Sequence, residues 1–168
     1  MHDLNLQQLK HHGAIGGVAL YGTHLENTLQ SVLWRVAGLN STIGRCITQH
    51  MSFGIIETAI LTIFNESPKL SEHNSSAKVL LKRCDNLRLK RNDIVHSYWG
   101  IFLGSDAPSS LDASKGEVTG MVIKARGSLK IKINKTTVSE IDDIIEEILL
   151  LNKELAEFAA EHLPALIK

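Results

Sequence analysis

Apolar residues recur at intervals of three and four along most of this chain, which is the spacing of helices that bury one side. The first such stretch runs from about Ala14 to Ala37 and ends at Gly38. Glycines interrupt its beginning, at positions 13, 16, 17 and 22. Because a glycine costs about 1 kcal/mol in a helix interior, they predict either an uncertain start or close packing against a neighbouring helix.

A second helix and a last helix have clear signals at their ends. Ser41 or Thr42 can cap the second helix and Pro68 forbids its continuation, which predicts one largely buried helix between them. Thr137 and Glu140 have the form of a capping box, in which each side chain satisfies the backbone N–H of the other residue. The apolar residues that follow recur at helical spacing and predict a long last helix.

A third helix is expected from Ser75 or Ser76 to about Trp99. Arg91 falls in the middle of its apolar side, whereas its other charged residues project from the opposite side. That apolar side is made of Leu80, Cys84, Leu87, Ile94, Val95 and Tyr98.

The pattern changes between the third and the last helix. The stretch from Gly104 to Gly116 is rich in serine, aspartate and proline and predicts a surface loop, a candidate flap. Residues 118–124 and 128–134 flank Arg126, and the second segment alternates strictly between apolar residues and lysine. Alternation of this kind predicts a short β-hairpin, so the loop and hairpin insertion covers about 101–135.

These elements predict a mainly all-α protein, an antiparallel four-helix bundle with a small β-hairpin inserted before the last helix. The length of 168 residues fits one domain, 1–168. No stretch reaches the roughly 18 apolar residues of a membrane helix, and the beginning of the chain lacks the order of a secretory signal. We therefore predict a cytoplasmic location, with Cys46 and Cys84 as reduced core thiols.

The charge pattern limits how the chain can bind nucleic acid. Since 18 basic residues balance 18 acidic ones, any such affinity must be local. Basic residues concentrate on the third helix and the hairpin, where the candidates for contacting an RNA backbone are Arg88, Lys124, Arg126, Lys130 and Lys132. The alternative for the lysines is the solvent side of an amphipathic strand. Trp99 can stack on a base or plug the end of the bundle.

Arg91 is the residue that the apolar pattern does not explain. Its charge cannot be removed by deprotonation, and its desolvation is costly without a partner. One interpretation is structural: the side chain forms an internal ion pair, for example with Glu57 on the second helix, or reaches solvent past its neighbours. The other is that the guanidinium faces a cleft and binds an anionic ligand, for which a phosphate suits its planar fork.

His96 and Asn92 add a second kind of chemistry next to Arg91. A histidine can exchange a proton near neutral pH during phosphodiester cleavage, while an arginine stabilises the charge on the phosphoryl oxygens. On a straight helix His96 lies about 140° round from Arg91. Either the helix distorts near Trp99 or a second copy of the chain completes the site. Asn92, four residues before His96, is expected to orient its ring.

Residues 91–98 resemble the Arg-x4-His motif of HEPN domains, because Arg91 and polar Asn92 are followed by His96, and Tyr98 extends the match to Arg-x4-His-x-Tyr. The resemblance implies a helical bundle, usually a dimer, and metal-independent endoribonuclease activity with Arg91 and His96 as catalytic residues and Asn92 in support. This version of the motif is similar to that of toxins encoded beside a minimal nucleotidyltransferase antitoxin. Tyr98 would then be a target for nucleotide transfer. The loop and hairpin insertion departs from the compact toxin pattern.

Two other functions remain open at this point. A catalytically inactive HEPN dimer would bind a nucleotide or a protein, and a plain helical scaffold would use Arg91 in an ion pair. The histidines His11, His12, His24 and His50 lack the spacing of bundle metal sites, so neither a metal nor another cofactor is expected.

Overall fold

The computed structural model describes residues 2–99, 117–125 and 129–166, with side chains described at 9–97, 99 and 136–166. Over these residues the protein is mainly helical, as predicted. The elements are α1 (His2–Val36), α2 (Ser41–Thr48), α3 (Phe53–Glu66), a 3-10 turn (Ser71–His73), α4 (Asn74–Val95), β1 (Tyr98–Trp99), β2 (Glu117–Ala125), β3 (Leu129–Thr137) and α5 (Val138–His162). No helix in the described part of the chain is long and apolar enough to cross a membrane.

The chain divides into two compact units. We name them the hairpin unit, made of Met1–Leu20 and Leu89–Glu146, and the helical unit, made of Tyr21–Arg88 and Glu147–Lys168. Each unit takes part of α1, α4 and α5. The predicted loop at 104–116 lies outside the described residues.

The helical unit has a core of leucine, isoleucine and phenylalanine side chains. Leu29, Ile60, Phe64, Leu87 and Leu151 are almost completely buried there. Burial of one such side chain is worth about 1.5–3 kcal/mol, so these residues supply much of the free energy that offsets the ordering of the chain.

The prediction of one continuous second helix is wrong, because the chain leaves the helical conformation after Thr48 and begins α3 at Phe53. Asn40, not Ser41 or Thr42, caps α2: its side-chain oxygen accepts from the Ile43 backbone N–H at 2.8 Å. The apolar spacing runs on through the break, so periodicity alone could not reveal it.

A contact with Trp34 fixes α2. The indole Nε1 of Trp34 donates to Thr48 Oγ1 at 3.1 Å, and its ring is so near Gly44 that a Cβ there would lie 2.5 Å from Cγ. Helix α2 thus buries Gly44 and Thr48 and exposes Ile43 and Ile47. Cys46 is exposed too, which corrects its expected place in the core.

The hairpin unit contains the predicted β-hairpin, which is confirmed, and a further strand. Strand β2 pairs antiparallel with β3, with Ile123 opposite Ile131. Strand β1 joins the other edge of β2 and places Trp99 opposite Gly120. The third helix therefore ends at Val95 instead of continuing to Trp99, because the residues after it pair with a strand that is distant in sequence.

A small apolar cluster organises the hairpin unit. Its buried members are Ala14, Val18, Ile94 and Ile141, which come from α1, α4 and α5. The partly buried residues packed against it are Ile15, Val95, Trp99, Val138, Ile144 and Ile145. We name the four buried residues the motif cluster, because α4 enters it just before His96.

Helices α1 and α5 approach closely beside the motif cluster. A Cβ on Gly17 would lie 2.8 Å from Ile145 Cδ1, whereas a Cβ on Gly13 or Gly16 would meet no described atom within 4 Å apart from the nearby backbone of α1 itself. The close-packing interpretation of the glycines is therefore correct at Gly17.

The start of α5 confirms the predicted capping box. Thr137 Oγ1 accepts from the Glu140 N–H at 3.2 Å, and Glu140 Oε2 accepts from the Thr137 N–H at 2.8 Å. These bonds satisfy donors that a helix N-terminus leaves without intrahelical partners.

Candidate functional site

Arg91 lies on the inner side of α4, half-buried between two buried neighbours. Leu87 stands one turn before it and is 1% exposed, while Ile94 stands three residues after it and is 7% exposed. The placement follows from helix geometry, since residues three and four apart share a face. A permanently charged side chain is therefore partly removed from water.

The Arg91 guanidinium has one side-chain hydrogen bond among the described residues, in which Nη1 donates to Asn92 Oδ1 at 3.0 Å. Its Nε is buried and has no hydrogen-bond partner in the part of the chain that the structure describes. Among the residues whose side chains the structure describes, 9–97, 99 and 136–166, no ion pair of Arg91 with a carboxylate is found. An unsatisfied buried donor on a cation is costly, and an anion that accepted from it would remove that cost.

Glu57, the carboxylate considered as an internal partner for Arg91, belongs to the helical unit. Burial raises the pKa of Glu57, and the negative charge of Asp85 adds to the rise, while Arg88 and Lys82 lower it. The positive charges that act on this carboxylate are therefore those of Arg88 and Lys82.

Arg88, a candidate RNA contact, is bound to Asp85. Its Nε and Nη2 donate to Asp85 Oδ1 at 3.0 and 2.6 Å, and its guanidinium carbon lies 5.5 Å from the centroid of the Phe53 ring. To bind a phosphate, this arginine would have to exchange one anion for another.

His96 follows the end of α4 and is exposed. Its backbone N–H donates to Asn92 O at 3.0 Å, and the next N–H, of Ser97, donates to Ile94 O at 3.3 Å. Ser97 Oγ also donates to Asp93 O. The N–H of His96 thus continues the helical bonding one residue past Val95, and the chain then tightens into an i to i−3 turn at Ser97.

Asn92 connects the two other motif residues, in a different way from the one predicted. Its side chain accepts from Arg91, and its backbone carbonyl accepts from His96. We call Arg91, Asn92 and His96 the motif triad. The described contacts of Asn92 orient the guanidinium rather than the imidazole.

Trp99 packs against the motif cluster and is half-buried. Its Nε1 donates to Ile94 O at 2.7 Å. The sequence leaves two interpretations of Trp99 open, stacking on a base and plugging the end of a bundle. A ring held in this way corresponds to a plug and not to a free stacking surface.

His11 is a residue of this region that the sequence reasoning missed. It is 2% exposed, although it carries a polar ring. Its ring meets that of Trp99 edge-on, with centroids 4.7 Å apart and planes at 70°. The sequence contained a signal for the burial of His11. His11 stands three residues before Ala14, four before Ile15 and seven before Val18, so it shares their face of α1.

The remaining candidates are placed only by their backbone or lie outside the described residues. Lys124 stands directly opposite Lys130, and Val122 opposite Lys132, so the three lysine positions share one face of the hairpin. Tyr98 stands opposite Met121 in the sheet. Arg126 lies outside the described residues, as do the side chains of Tyr98 and the three lysines.

A pair of stacked histidines lies in the helical unit. The rings of His73 and His162 are parallel within 26° and 4.3 Å apart, and each has a glutamate nearby, Glu72 at 3.4 Å and Glu161 at 3.6 Å. In the part of the chain that the structure describes, no group of three or more His, Cys, Asp or Glu residues is arranged to hold a metal ion.

Comparison of the chain with protein-family models, with curated proteins and with solved structures gave no match. The assignment of a function therefore depends on the chemistry of the motif triad and on the resemblance of its sequence motif.

Proposed function

We propose that this protein is a metal-independent endoribonuclease of the HEPN type, built as a helical bundle, with Arg91 and His96 as catalytic residues and Asn92 in support. The observation that carries the proposal is the state of Arg91. Its guanidinium is half-buried, held by Asn92, and has a buried Nε with no partner among the described residues. An exposed imidazole follows five residues later.

The reaction needs only groups of these kinds. The 2′-hydroxyl of a ribose gives up its proton and its oxygen bonds to the adjacent phosphorus, while the bond from phosphorus to the 5′-oxygen breaks. The leaving 5′-oxygen takes up a proton, so the products are a 2′,3′-cyclic phosphate and a 5′-hydroxyl. His96 exchanges these protons, and Arg91 stabilises the charge on the phosphoryl oxygens. DNA lacks the nucleophile and is not cleaved.

The proposal includes a homodimer in which two motif triads face one cleft. A two-fold interface repeats each contact, so a second copy brings a second arginine and a second histidine to the same phosphate. In a toxin role, a nucleotidyltransferase antitoxin would act on Tyr98, which lies two residues after His96. The lysines at 124, 130 and 132 would contact the RNA backbone outside the cleft.

A second candidate is a catalytically inactive HEPN dimer that binds a nucleotide or a protein. It is favoured by the contacts of Asn92, whose side chain holds Arg91. Within the described residues no hydrogen bond orients the His96 ring. An oriented cation with an unoriented imidazole suits anion binding better than proton transfer.

Cleavage of total RNA in the presence of a chelator separates these functions. Wild-type protein is expected to cleave, and Arg91→Ala and His96→Ala to lose at least about 100-fold in rate, the usual size of a general acid–base or charge-stabilising contribution. Arg45→Ala and His50→Ala, which remove exposed residues of the same types, are the matched controls.

The ends of the products identify the chemistry. New 5′ ends should accept phosphate from a polynucleotide kinase without prior phosphatase treatment, because they carry free hydroxyls. Cleavage that both motif variants retain, or that the chelator abolishes, contradicts the proposal. Binding of RNA or nucleotide without cleavage supports the inactive module.

A further inference from the structure

We propose that His11 is a positioning residue for His96: its buried ring holds Trp99 against the motif cluster, and Trp99 in turn closes the turn that carries His96. The positioning is independent of activity, but its catalytic consequence rests on the function proposed above. All residues involved belong to the hairpin unit.

Two hydrogen bonds to one carbonyl group close the turn after α4. A helix leaves its last carbonyl groups without intrahelical donors. At the end of α4, Ile94 O accepts from the Ser97 N–H at 3.3 Å and from Trp99 Nε1 at 2.7 Å. The indole bond therefore connects Trp99 to the end of α4. It spans the four residues from Val95 to Tyr98, and His96 is one of them.

The Trp99 indole is held by the motif cluster and by the His11 ring. Trp99 packs against the motif cluster and forms an edge-to-face contact with the His11 ring, with the ring centroids 4.7 Å apart. Edge-to-face contacts of this kind stabilise aromatic pairs beyond the area that they bury. Removal of the His11 ring would leave a cavity beside Trp99 and free the indole to move.

His11 is an unusual residue for a purely structural role. Its Nε2 is buried without a hydrogen-bond partner among the described residues, where a phenylalanine would fill similar space at no polar cost. An imidazole differs from that ring in being able to take up a proton. The contact with Trp99 can therefore respond to pH.

The direction of that response follows from the surroundings of His11. Burial lowers its pKa below 6.5, and the adjacent positive charge that His12 can carry lowers it further. The rings of His11 and His12 lie 6.3 Å apart. Trp99, on β1, brings no charge, and the motif cluster beside it is apolar. The ring is neutral at pH 7, and a proton added at lower pH would favour its departure from the apolar site.

The test uses the full-length, nitrogen-15-labelled protein at pH 7.5 and pH 5.0. The probes are the indole N–H of Trp99, assigned by its loss in Trp99→Phe, and the backbone amide of His96, which donates to Asn92 O. In His11→Ala we expect both to exchange with solvent about tenfold faster or more at pH 7.5. His11→Phe should retain wild-type protection, and His50→Ala is the control.

Two features separate local positioning from general destabilisation. The amides of Leu29 and Leu151 in the helical unit should keep wild-type exchange in every variant. On going to pH 5.0, wild type should lose protection of the two probes relative to these amides, and His11→Phe should not. Equal protection of Trp99 and His96 in wild type and His11→Ala, or uniform loss over the whole chain, overturns the inference.

RNA cleavage then tests the catalytic consequence. His11→Ala should lower kcat about tenfold and leave KM within about twofold, because Arg91 and Asn92 remain in place, and His11→Phe should restore kcat at pH 7.5. An unchanged kcat in His11→Ala overturns the positioning role. If wild type cleaves no RNA, the ribonuclease proposal and this catalytic role both fail, and the exchange data alone decide whether His11 holds the turn.

Discussion

Trp99 donates its indole Nε1–H to the carbonyl oxygen of Ile94, 2.7 Å away, across the turn that carries His96. The bond joins the end of α4 to the short strand β1, and so connects the helix that holds Arg91 to the sheet. The turn that carries the proposed catalytic histidine is thus bonded to a residue outside the Arg-x4-His motif.

Trp99→Phe should lower the free energy of unfolding by about 0.5–1.5 kcal/mol, because it removes one of the two hydrogen bonds that Ile94 O accepts. Urea denaturation followed by circular dichroism measures this change. Leu149→Ala removes a side chain that is 44% exposed on α5 and should change stability by less than about 0.5 kcal/mol. A Trp99→Phe variant as stable as wild type would show that the bond contributes little.

Gly17→Ala should be less stable than Gly13→Ala or Gly16→Ala by about 0.5–1.5 kcal/mol, because its Cβ would lie 2.8 Å from Ile145 Cδ1 and the flexible end of that side chain must move off its rotamer. Gly13→Ala and Gly16→Ala are the matched controls and should stabilise the protein by about 0.4–1 kcal/mol, since they reduce the freedom of the unfolded chain. Thermal or urea unfolding measures all three. Adding Ile145→Val to Gly17→Ala removes the clashing methyl group and should recover part of the difference, and no recovery would place the clash elsewhere.

The capping box predicts a dependence of stability on pH. Hydrogen bonds from the Thr137 backbone and the Thr136 hydroxyl lower the pKa of Glu140 below 4.5. The carboxylate therefore stabilises the fold above pH 4.5, and this contribution is lost as the pH falls through the lowered pKa. Glu140→Gln should remove that component of the acid dependence, and Thr137→Val should cost about 1 kcal/mol at pH 7. Urea unfolding from pH 7 to pH 3 measures both, and parallel curves for wild type and Glu140→Gln would contradict the assignment.

The two cysteines should react very differently with an alkylating reagent. Burial raises the pKa of Cys84 to about 12, and the nearby charge of Glu57 contributes, whereas Cys46 is exposed. The thiolate is the nucleophile, so iodoacetamide at pH 8 should modify Cys46 alone in the native protein and both residues in urea. Mass spectrometry with Cys46→Ser as the control measures the sites, and rapid modification of native Cys84 would contradict its burial.

Mixing two inactive variants tests whether the proposed site is shared between protomers. If Arg91 of one copy acts with His96 of another, the shared cleft of a wild-type dimer offers two such pairs, and a dimer of Arg91→Ala with His96→Ala keeps one of them. Random exchange of subunits makes about half of the dimers mixed, so about a quarter of wild-type cleavage should return. If both residues act within one chain, the mixture stays inactive, which would exclude the shared site.

The sequence by itself determined most of the local structure. Helical periodicity located α5 and, apart from its ends, α4; the strict alternation at 129–133 located the hairpin, and Thr137 with Glu140 located the start of α5. These features depend on residues that are close together in the chain, so they form with few contacts to distant residues. Arg91 could be singled out for the same reason, because a charge among apolar residues at helical spacing is a local anomaly.

Only the tertiary structure decided where helices break and which polar side chains are buried. The break before Phe53 and the end of α4 at Val95 interrupt apolar patterns that run on, and the second coincides with pairing to a strand more than 20 residues away. His11 is buried because the aromatic ring of Trp99, far along the chain, packs against it. The free energy of such contacts comes from surfaces that meet only after folding. The sequence therefore contains the residues that make these contacts but does not show which of them pair.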